Sequence, residues 1–372
     1  MTHAEIAGAG LCGISTALLL RQAGWSVRVH EQASSVREIG AGIVLHEGAC
    51  SVFEHLGLID EIQEQGVLLD GSAALDSDGR VLADRELDGE FRQIALPRQT
   101  LMGLLLRAAE ALDVEIVTGS KAIAARPDGT LVVDGDKEFH ADLVVAADGF
   151  HSAVRDSLKL TAKKISRTNG ATRALVKWES GESRTVLREY WSTDKRVGVI
   201  PVGDGLTYCY LSSPETDRRA TAVPIDVAHW SAAFPGVPRE LFELLSRADA
   251  RHDSYAYVKP RAWAKGSVAI VGDALNALPP SLGLGVSLGL RNARLMVDAI
   301  TSGVDVVTAL QQWEAKARPD TEWIQNWSLR RERLAHNLPS PLAYVRSRMI
   351  SRSNGMRGWS RNGKSFDGAL VT

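Results

Sequence analysis

Cysteine is scarce in this chain of 372 residues: Cys12, Cys50 and Cys209 are the only three, far apart and never in a Cys-x-x-Cys pair. That spacing argues against a zinc site and a disulfide framework, so no metal is expected. It fits a reducing setting, and a cytoplasmic protein is expected. Runs of about 18 or more apolar residues are missing, so no membrane span is expected. The apolar stretch Ile6–Leu20 follows Glu5 rather than Lys or Arg and is interrupted by Gly8, Gly10, Gly13 and Ser15. It reads as strand, turn and helix, not as a secretory leader. Excess charge is also missing. The formal net charge of −2 gives no electrostatic case for nucleic acid. No internal repeat is visible. What remains, 45% apolar and 24% charged, is a globular chain long enough for two domains sharing a sizeable core.

The order of elements follows from periodicity. Glu5–Ala7 predicts a buried strand, then a glycine turn and an apolar helix to about Ala23, with Ser26–His30 the next strand. This start is that of a parallel α/β sheet. Helical spacing returns over Gly48–Gly57 and, after Pro97, over Gln99–Leu112; Val114–Val117 and Leu143–Ala147 are short strands. From about Lys164 to Val258 the pattern shortens to alternating runs, Val186–Trp191, Val197–Val202 and Leu206–Leu211, with Gly203-Asp204-Gly205 a hairpin turn. A largely antiparallel inserted sheet is expected there. Helices are expected from about Gly285 to Thr301 and from Val304 to about His336. The basic tail (Arg330, Arg331, Arg333, Arg346, Arg348, Arg352, Arg357, Arg361, Lys364) reads as a solvated helical face and a frayed end.

Three motifs carry chemistry. Gly8-x-Gly10-x-x-Gly13 follows a strand and opens a helix. Gly8 permits the tight turn, Gly10 the approach of backbone to a pyrophosphate, and Gly13 close packing of helix on strand. The amides that open the helix, from Leu11 on, favour the phosphates. Glu31 ends the second strand about 20 residues on, where a carboxylate binds ribose hydroxyls and disfavours a 2′-phosphate. The adenosine of FAD or NAD is therefore expected. The second motif, Asp148-Gly149 with Ser152 and Arg155, taken alone is a strand, turn and N-cap. The third is Gly272-Asp273 followed by Pro280-x-x-Gly283-x-Gly285.

In this order the motifs resemble the class A flavoprotein monooxygenases, from Ala4 to about Thr301. Within that family the likeness is to the hydroxypyridine-carboxylate oxygenases, carried by Gly24–Glu31, Gly40-Ala-Gly-Ile43, and Val223-Pro-Ile-Asp226 with Trp230. The resemblance implies a Rossmann-like FAD-binding domain (1–70, 98–160 and 260–303). It implies an inserted, mostly antiparallel substrate domain (71–97 and 161–259) and C-terminal helices (304–372). It gives FAD to Gly8, Gly10, Leu11, Gly13, Glu31, Arg37, Arg98, Asp148, Asp273, Gly283, Gly285 and Val286. Arg98 would stand near the FAD phosphates, Asp273 would bond the ribityl chain, and Val286 would offer an amide to reduced flavin. Asp148, Gly149 and Arg155 would serve FAD and the nicotinamide cofactor. Pro280 would place its carbonyl beside the substrate, with Arg173, Arg196, Tyr208 and His252 as further substrate contacts.

The implied reaction is NADH- or NADPH-driven hydroxylation of a small hydroxylated, carboxylated aromatic or pyridine ring by a flavin C4a-hydroperoxide. Ring opening is left open, and O2 and the ring are the partners of a monomer or homodimer. Leu275, Asn276, Leu284, Ser287 and Asn292 depart from the family pattern, and they mark where an unusual substrate preference should be sought. An FAD-dependent dehydrogenase that does not activate oxygen is the alternative.

Overall fold

The computed structural model describes residues 2–36, 40–87, 91–178 and 185–336. Arg37 and the basic positions from Arg346 on lie outside them. The first sheet has six strands. His3–Ala7 lies between Ser26–Glu31 and Leu143–Ala146 and is parallel to both. Glu115–Thr118 extends the sheet on one side and Val268–Ile270 on the other, both parallel, and Ala264–Lys265 closes an edge antiparallel. Ile6, Val29, Val144, Val145 and Ala269 are fully buried. A parallel sheet covered on both faces needs apolar runs rather than alternation, which is the pattern these segments show. Helices Leu11–Gln22, Arg98–Ala111 and Gly285–Ile300 pack around it.

A second sheet has seven strands, in the order Arg251–Pro260, Thr161–Lys177, Leu206–Pro214, Arg196–Gly203, Val186–Trp191, Gly71–Asp76 and Val81–Glu86. It is antiparallel except where Val186–Trp191 runs parallel to Gly71–Asp76. Asp204 and Gly205 both have positive φ, 53° and 68°, which makes the expected hairpin turn of the mirror-image kind that suits twisted strands. Successive side chains point to opposite faces. One face carries Ala174, Val176, Val197, Val199, Cys209 and Leu211 and is covered by helices Val227–Ala233 and Arg239–Arg247 through Trp230, Phe234, Leu241 and Phe242. On the other face Ile200, Val202 and Tyr208 meet Ala95 of a small sheet built from Gly42–His46, Gln93–Pro97 and Val67–Leu68, and Ala41 just ahead of it.

A third antiparallel sheet, Ala122–Arg126, Thr130–Val133 and Lys137–His140, was not expected from the sequence, although Pro127-Asp128-Gly129 is a turn signal between its first two strands. The last described element is the long helix Val306–His336.

Candidate functional site

The nucleotide end is built from backbone. Gly8 has φ +99°, and a Cβ there would come within 2.5 Å of the Ala147 carbonyl oxygen. A Cβ on Gly13 would fall on the carbonyl oxygen of Gly8. Around Gly10 the space is open to 4 Å. Turn and helix are thus pressed together below while the side that faces a ligand stays clear. The helix opening at Leu11 has no acidic residue in its first turn to compete for its amides. Glu31 accepts the amides of Ala9 (3.0 Å) and Ala33 (2.8 Å), which fixes its carboxylate across the glycine turn. Beneath lies a buried network that the sequence did not disclose: Glu5 with His30 (2.8 Å), His3 (2.9 Å) and Arg28 (3.2 Å).

The motifs at the two ends of the chain touch. Gly272 has φ +58°, and a Cβ there would stand 2.9 Å from the Cβ of Cys12. A Cβ on Gly289 would stand 2.8 Å from the Cys12 sulfur and 3.3 Å from the Gly272 Cα. Asp273 follows at the start of the short helix Asp273–Asn276. Its residue surface is exposed, yet burial pushes its carboxyl above the usual range, with Arg98 opposing. Both observations hold for a side chain on the floor of a cleft, open to water and crowded by protein. Asp148 also has its carboxyl raised by burial, against hydrogen bonds from Ser152 and the Val154 amide. Its Oδ1 is buried without a protein partner. Arg155, expected to serve FAD and the nicotinamide cofactor, is turned inward instead. Fully buried, it donates to the carbonyls of Ala274 and Phe150 (3.0 Å each) and to Thr161 (2.9 Å). It braces the Asp148 turn to the Asp273 turn from inside.

The substrate candidates separate by face. The Leu175↔Tyr208 and Arg173↔Tyr210 pairings put Arg173 and Tyr208 on the face turned to the small sheet. Arg173 lies beside Tyr208 on that face, and its charge acts on the phenol. Burial works against the Arg173 charge, but Tyr208, Tyr255 and Asp253 outweigh it and hold the guanidinium above its ordinary range. Burial raises the Tyr208 phenol, while Arg173 and Arg98 pull it down. The Arg98 charge thus acts on both Tyr208 and Asp273. Glycine at 42 is required here, because a Cβ would come within 2.4 Å of the Tyr208 Cγ.

His252 is not part of this group. Paired with Thr172, it lies on the opposite face, bonded to Thr172 (2.9 Å) and Glu215 (3.1 Å). The tyrosine brought to the site is Tyr255, three positions on, buried and donating to Ser212 at 2.6 Å. Arg196 shares the Arg173 face and continues the row. It reaches Tyr255 and pairs with Glu189 at 3.1 Å, and Glu189 also accepts from Tyr210. Arg331 departs from the solvated face expected of the tail: it stands 3.5 Å from Glu189 and over the Trp191 ring.

Pro280 is exposed at the start of the turn Pro280–Leu282, which ends at Gly283 with φ +71°. That turn delivers Gly285 and the half-buried Val286 to the first turn of helix Gly285–Ile300, where no acidic residue intervenes. Ser287 accepts the His46 amide at 3.2 Å and ties the helix start to the small sheet.

An open glycine cradle, an unpartnered buried Asp148 oxygen and a crowded but accessible Asp273 fit an extended dinucleotide. Among the described residues no cluster of His, Cys, Asp and Glu could hold a metal ion, and no helix is long and apolar enough to cross a membrane.

Known proteins accord with this. The family described as "FAD binding domain" matches residues 1–322. The chain is 33% identical over 346 residues to 2-heptyl-3-hydroxy-4(1H)-quinolone synthase of Mycobacteroides abscessus, which covers 91% of this chain and 92% of that protein. Aurachin C monooxygenase/isomerase of Stigmatella aurantiaca is 29% identical over 323 residues, or 83% of each chain. The tetrameric form of 2-methyl-3-hydroxypyridine-5-carboxylic acid oxygenase superposes with a TM-score of 0.85 at 31% identity, over 95% of this chain and 93% of that one. These likenesses favour the oxygenase over the flavin dehydrogenase. The chain belongs to the class A flavoprotein monooxygenases, single-component FAD-dependent oxygenases of aromatic compounds.

Proposed function

We propose that this enzyme uses NADH or NADPH to hydroxylate a small hydroxylated heteroaromatic ring of the pyridine or quinolone kind. The observation that carries the reading is the row Asp273, Arg98, Tyr208 and Arg173, which runs from the cofactor turn to the inserted sheet. The names of the quinolone and hydroxypyridine relatives support the ring class. In the proposed division of labour, 1–70, 98–160 and 260–303 hold FAD, and 71–97 and 161–259 hold the ring. The chemistry FAD supplies when bound is transfer of two electrons from NAD(P)H to dioxygen, with one oxygen atom entering a ring C–H bond and the other leaving as water. The balance is NAD(P)H, a proton, O2 and the ring giving NAD(P)+, water and the hydroxylated ring.

The protein's part is binding, orientation and charge. With its phenol raised, Tyr208 stays neutral and can donate to a ring oxygen, while Arg173 stays charged behind it. Together they stabilise negative charge on that oxygen as the ring is attacked, in a site where fixed donors count for more than in water. The first-turn amides of helix Gly285–Ile300, Val286 among them, favour negative charge at the cofactor end. Pro280, exposed ahead of that helix, borders the same space, with its carbonyl accepting the Gly283 amide at 3.1 Å.

The test is to purify the protein, look for the flavin spectrum, and follow NADH and NADPH oxidation with 4-quinolones, hydroxypyridines and hydroxybenzoates under labelled dioxygen. Oxidation stimulated by a ring, with one labelled atom in the product, is expected. Ring-stimulated oxidation with no label in any product would make the enzyme a flavin dehydrogenase and defeat the reading.

A further inference from the structure

The arginines of the substrate face already have acidic partners within the protein. Arg173 has Asp253 at 3.7 Å. Arg196, only 2% exposed, has Glu189 at 3.1 Å, and Arg331 shares that carboxylate at 3.5 Å. Tyr210 donates to the same Glu189 oxygen as Arg196. Trp191 lies beneath both guanidiniums, with centroid distances of 5.1 and 5.6 Å. A site built to hold a ring carboxylate keeps an arginine edge clear for two parallel N–H bonds. Here one nitrogen of Arg196 is committed to Glu189, and Nε is left buried without a protein partner. Arg331 likewise keeps a buried Nε without a protein partner, and lone buried donors of this kind, one on each guanidinium, suit neutral acceptors such as ring carbonyl or hydroxyl oxygens. A second carboxylate brought beside Glu189 meets like-charge repulsion in a partly desolvated place. The surplus positive charge that Glu189 leaves unmatched stands at the Arg331 end, which is 34% exposed and screened by water.

We propose that Glu189 is the specificity-determining residue of this site: its carboxylate takes the place of a substrate acid on Arg196 and Arg331, so neutral hydroxylated heteroaromatic rings are selected over carboxylated ones. The inference rests on the hydroxylase reading above and deepens it. It departs from the sequence expectation of a carboxylated ring.

The test compares binding of 5-hydroxypyridine-3-carboxamide and 5-hydroxypyridine-3-carboxylate, matched in shape and different in charge, to the FAD-loaded enzyme. Binding is read from the flavin absorption spectrum and by calorimetry. The wild type should prefer the carboxamide by about fivefold or more, and Glu189→Gln should shift the carboxylate-to-carboxamide Kd ratio about tenfold or more in favour of the carboxylate. A wild type that prefers the carboxylate overturns the proposal. So does a ratio that Glu189→Gln leaves within about twofold, the scale of context-dependent variation in such measurements. Arg331→Gln provides the opposite sign and covers the case in which Glu189→Gln does not fold. It removes one of the two cations that share Glu189, so the ratio should move further against the carboxylate, and no movement overturns the proposal. A ratio indifferent to these changes, in protein that binds FAD and both probes, counts against this inference alone. A wild type that holds no FAD or binds neither probe counts against the hydroxylase reading and takes this inference with it.

Discussion

Tyr208 is set from three sides: by the Arg173 and Arg98 charges, and by the missing side chain of Gly42 against its ring. Removing only the hydroxyl, with Tyr208→Phe, leaves the packing and deletes the donor. Steady-state kinetics should show kcat/KM for the ring falling about 10- to 100-fold, with little change in KM for the nicotinamide cofactor. Glu5 is the other residue whose surroundings set its chemistry. Burial tends to raise its carboxyl, but hydrogen bonds from His30 and His3 and the Arg28 charge outweigh it, and the net shift is downward. A carboxyl lowered by folding stabilises the native state above the ordinary glutamate range, and that stability is lost as pH falls through the lowered value. Glu5→Gln should therefore cost about 2–4 kcal/mol at neutral pH, and the gap to wild type should close in acid, measured by denaturant unfolding across a pH series.

How far single residues could be read from the sequence follows from what fixes them. The turn at Gly8, Gly10 and Gly13 was legible because a tight strand-to-helix crossing sets that spacing, and Glu31 because it ends the next strand. Glu189 was not, because it faces Arg196 only through the pairings Glu189↔Gly198 and Trp191↔Arg196, and cross-strand register has no signature in one strand's sequence. His252 and Tyr255 show the same limit within one strand. Three positions apart, they point to opposite faces, and of the two only Tyr255 shares the Arg173 face.

At the scale of elements, strands bounded by sharp turns were read well. Val186–Trp191 has the expected limits, and the turn at Asp204-Gly205 pairs Gly203 with Leu206 as a two-residue hairpin should. Helix Val227–Ala233 was overlooked although Asp226 caps it, accepting the His229 amide at 2.9 Å. Its apolar face becomes visible only against the sheet it covers. The contact between helices Gly285–Ile300 and Val306–His336 contains a flaw with a testable consequence. Asn292 and Thr321 bond there at 3.1 Å, but Arg291 is buried with Nε and Nη1 unpartnered and its Nη2 3.5 Å from Asp320. Burial lowers its pKa, which is the sign of a charge held at a cost. Replacing a half-satisfied buried guanidinium by an apolar chain of similar length removes that cost. Arg291→Met is expected to raise stability by about 1 kcal/mol, seen as a higher thermal midpoint of the FAD-loaded protein.

On the scale of the molecule, the first sheet takes strands from residues 3–31, 115–118, 143–146 and 264–270, and all of its insertions return to it. The brace from Arg155 to the Ala274 carbonyl and the contact of Cys12 with Gly272 both join distant parts of the chain across that sheet. A chain ending at residue 262 keeps every glycine of the first motif but loses Val268–Ile270, Gly272 and Asp273. It should bind no FAD, and absorption of the purified fragment after incubation with excess FAD checks this. A fragment that turned yellow and stayed so through gel filtration would show that the late strand is dispensable.

The meeting of Cys12, Gly272 and Gly289 also sets a clock on biosynthesis. Strand Val268–Ile270 pairs with Leu143–Ala146 inside the sheet, with Ala264–Lys265 beyond it as the edge. The nascent chain therefore exposes one side of Leu143–Ala146 until the ribosome has passed residue 270. At about 5–20 residues per second, the glycine cradle waits on the order of 15–50 s after its own synthesis for the turn that completes it. Through that interval the unpaired edge of an apolar parallel strand is the surface most in need of protection, and loading of the cofactor is a late event in the life of the chain.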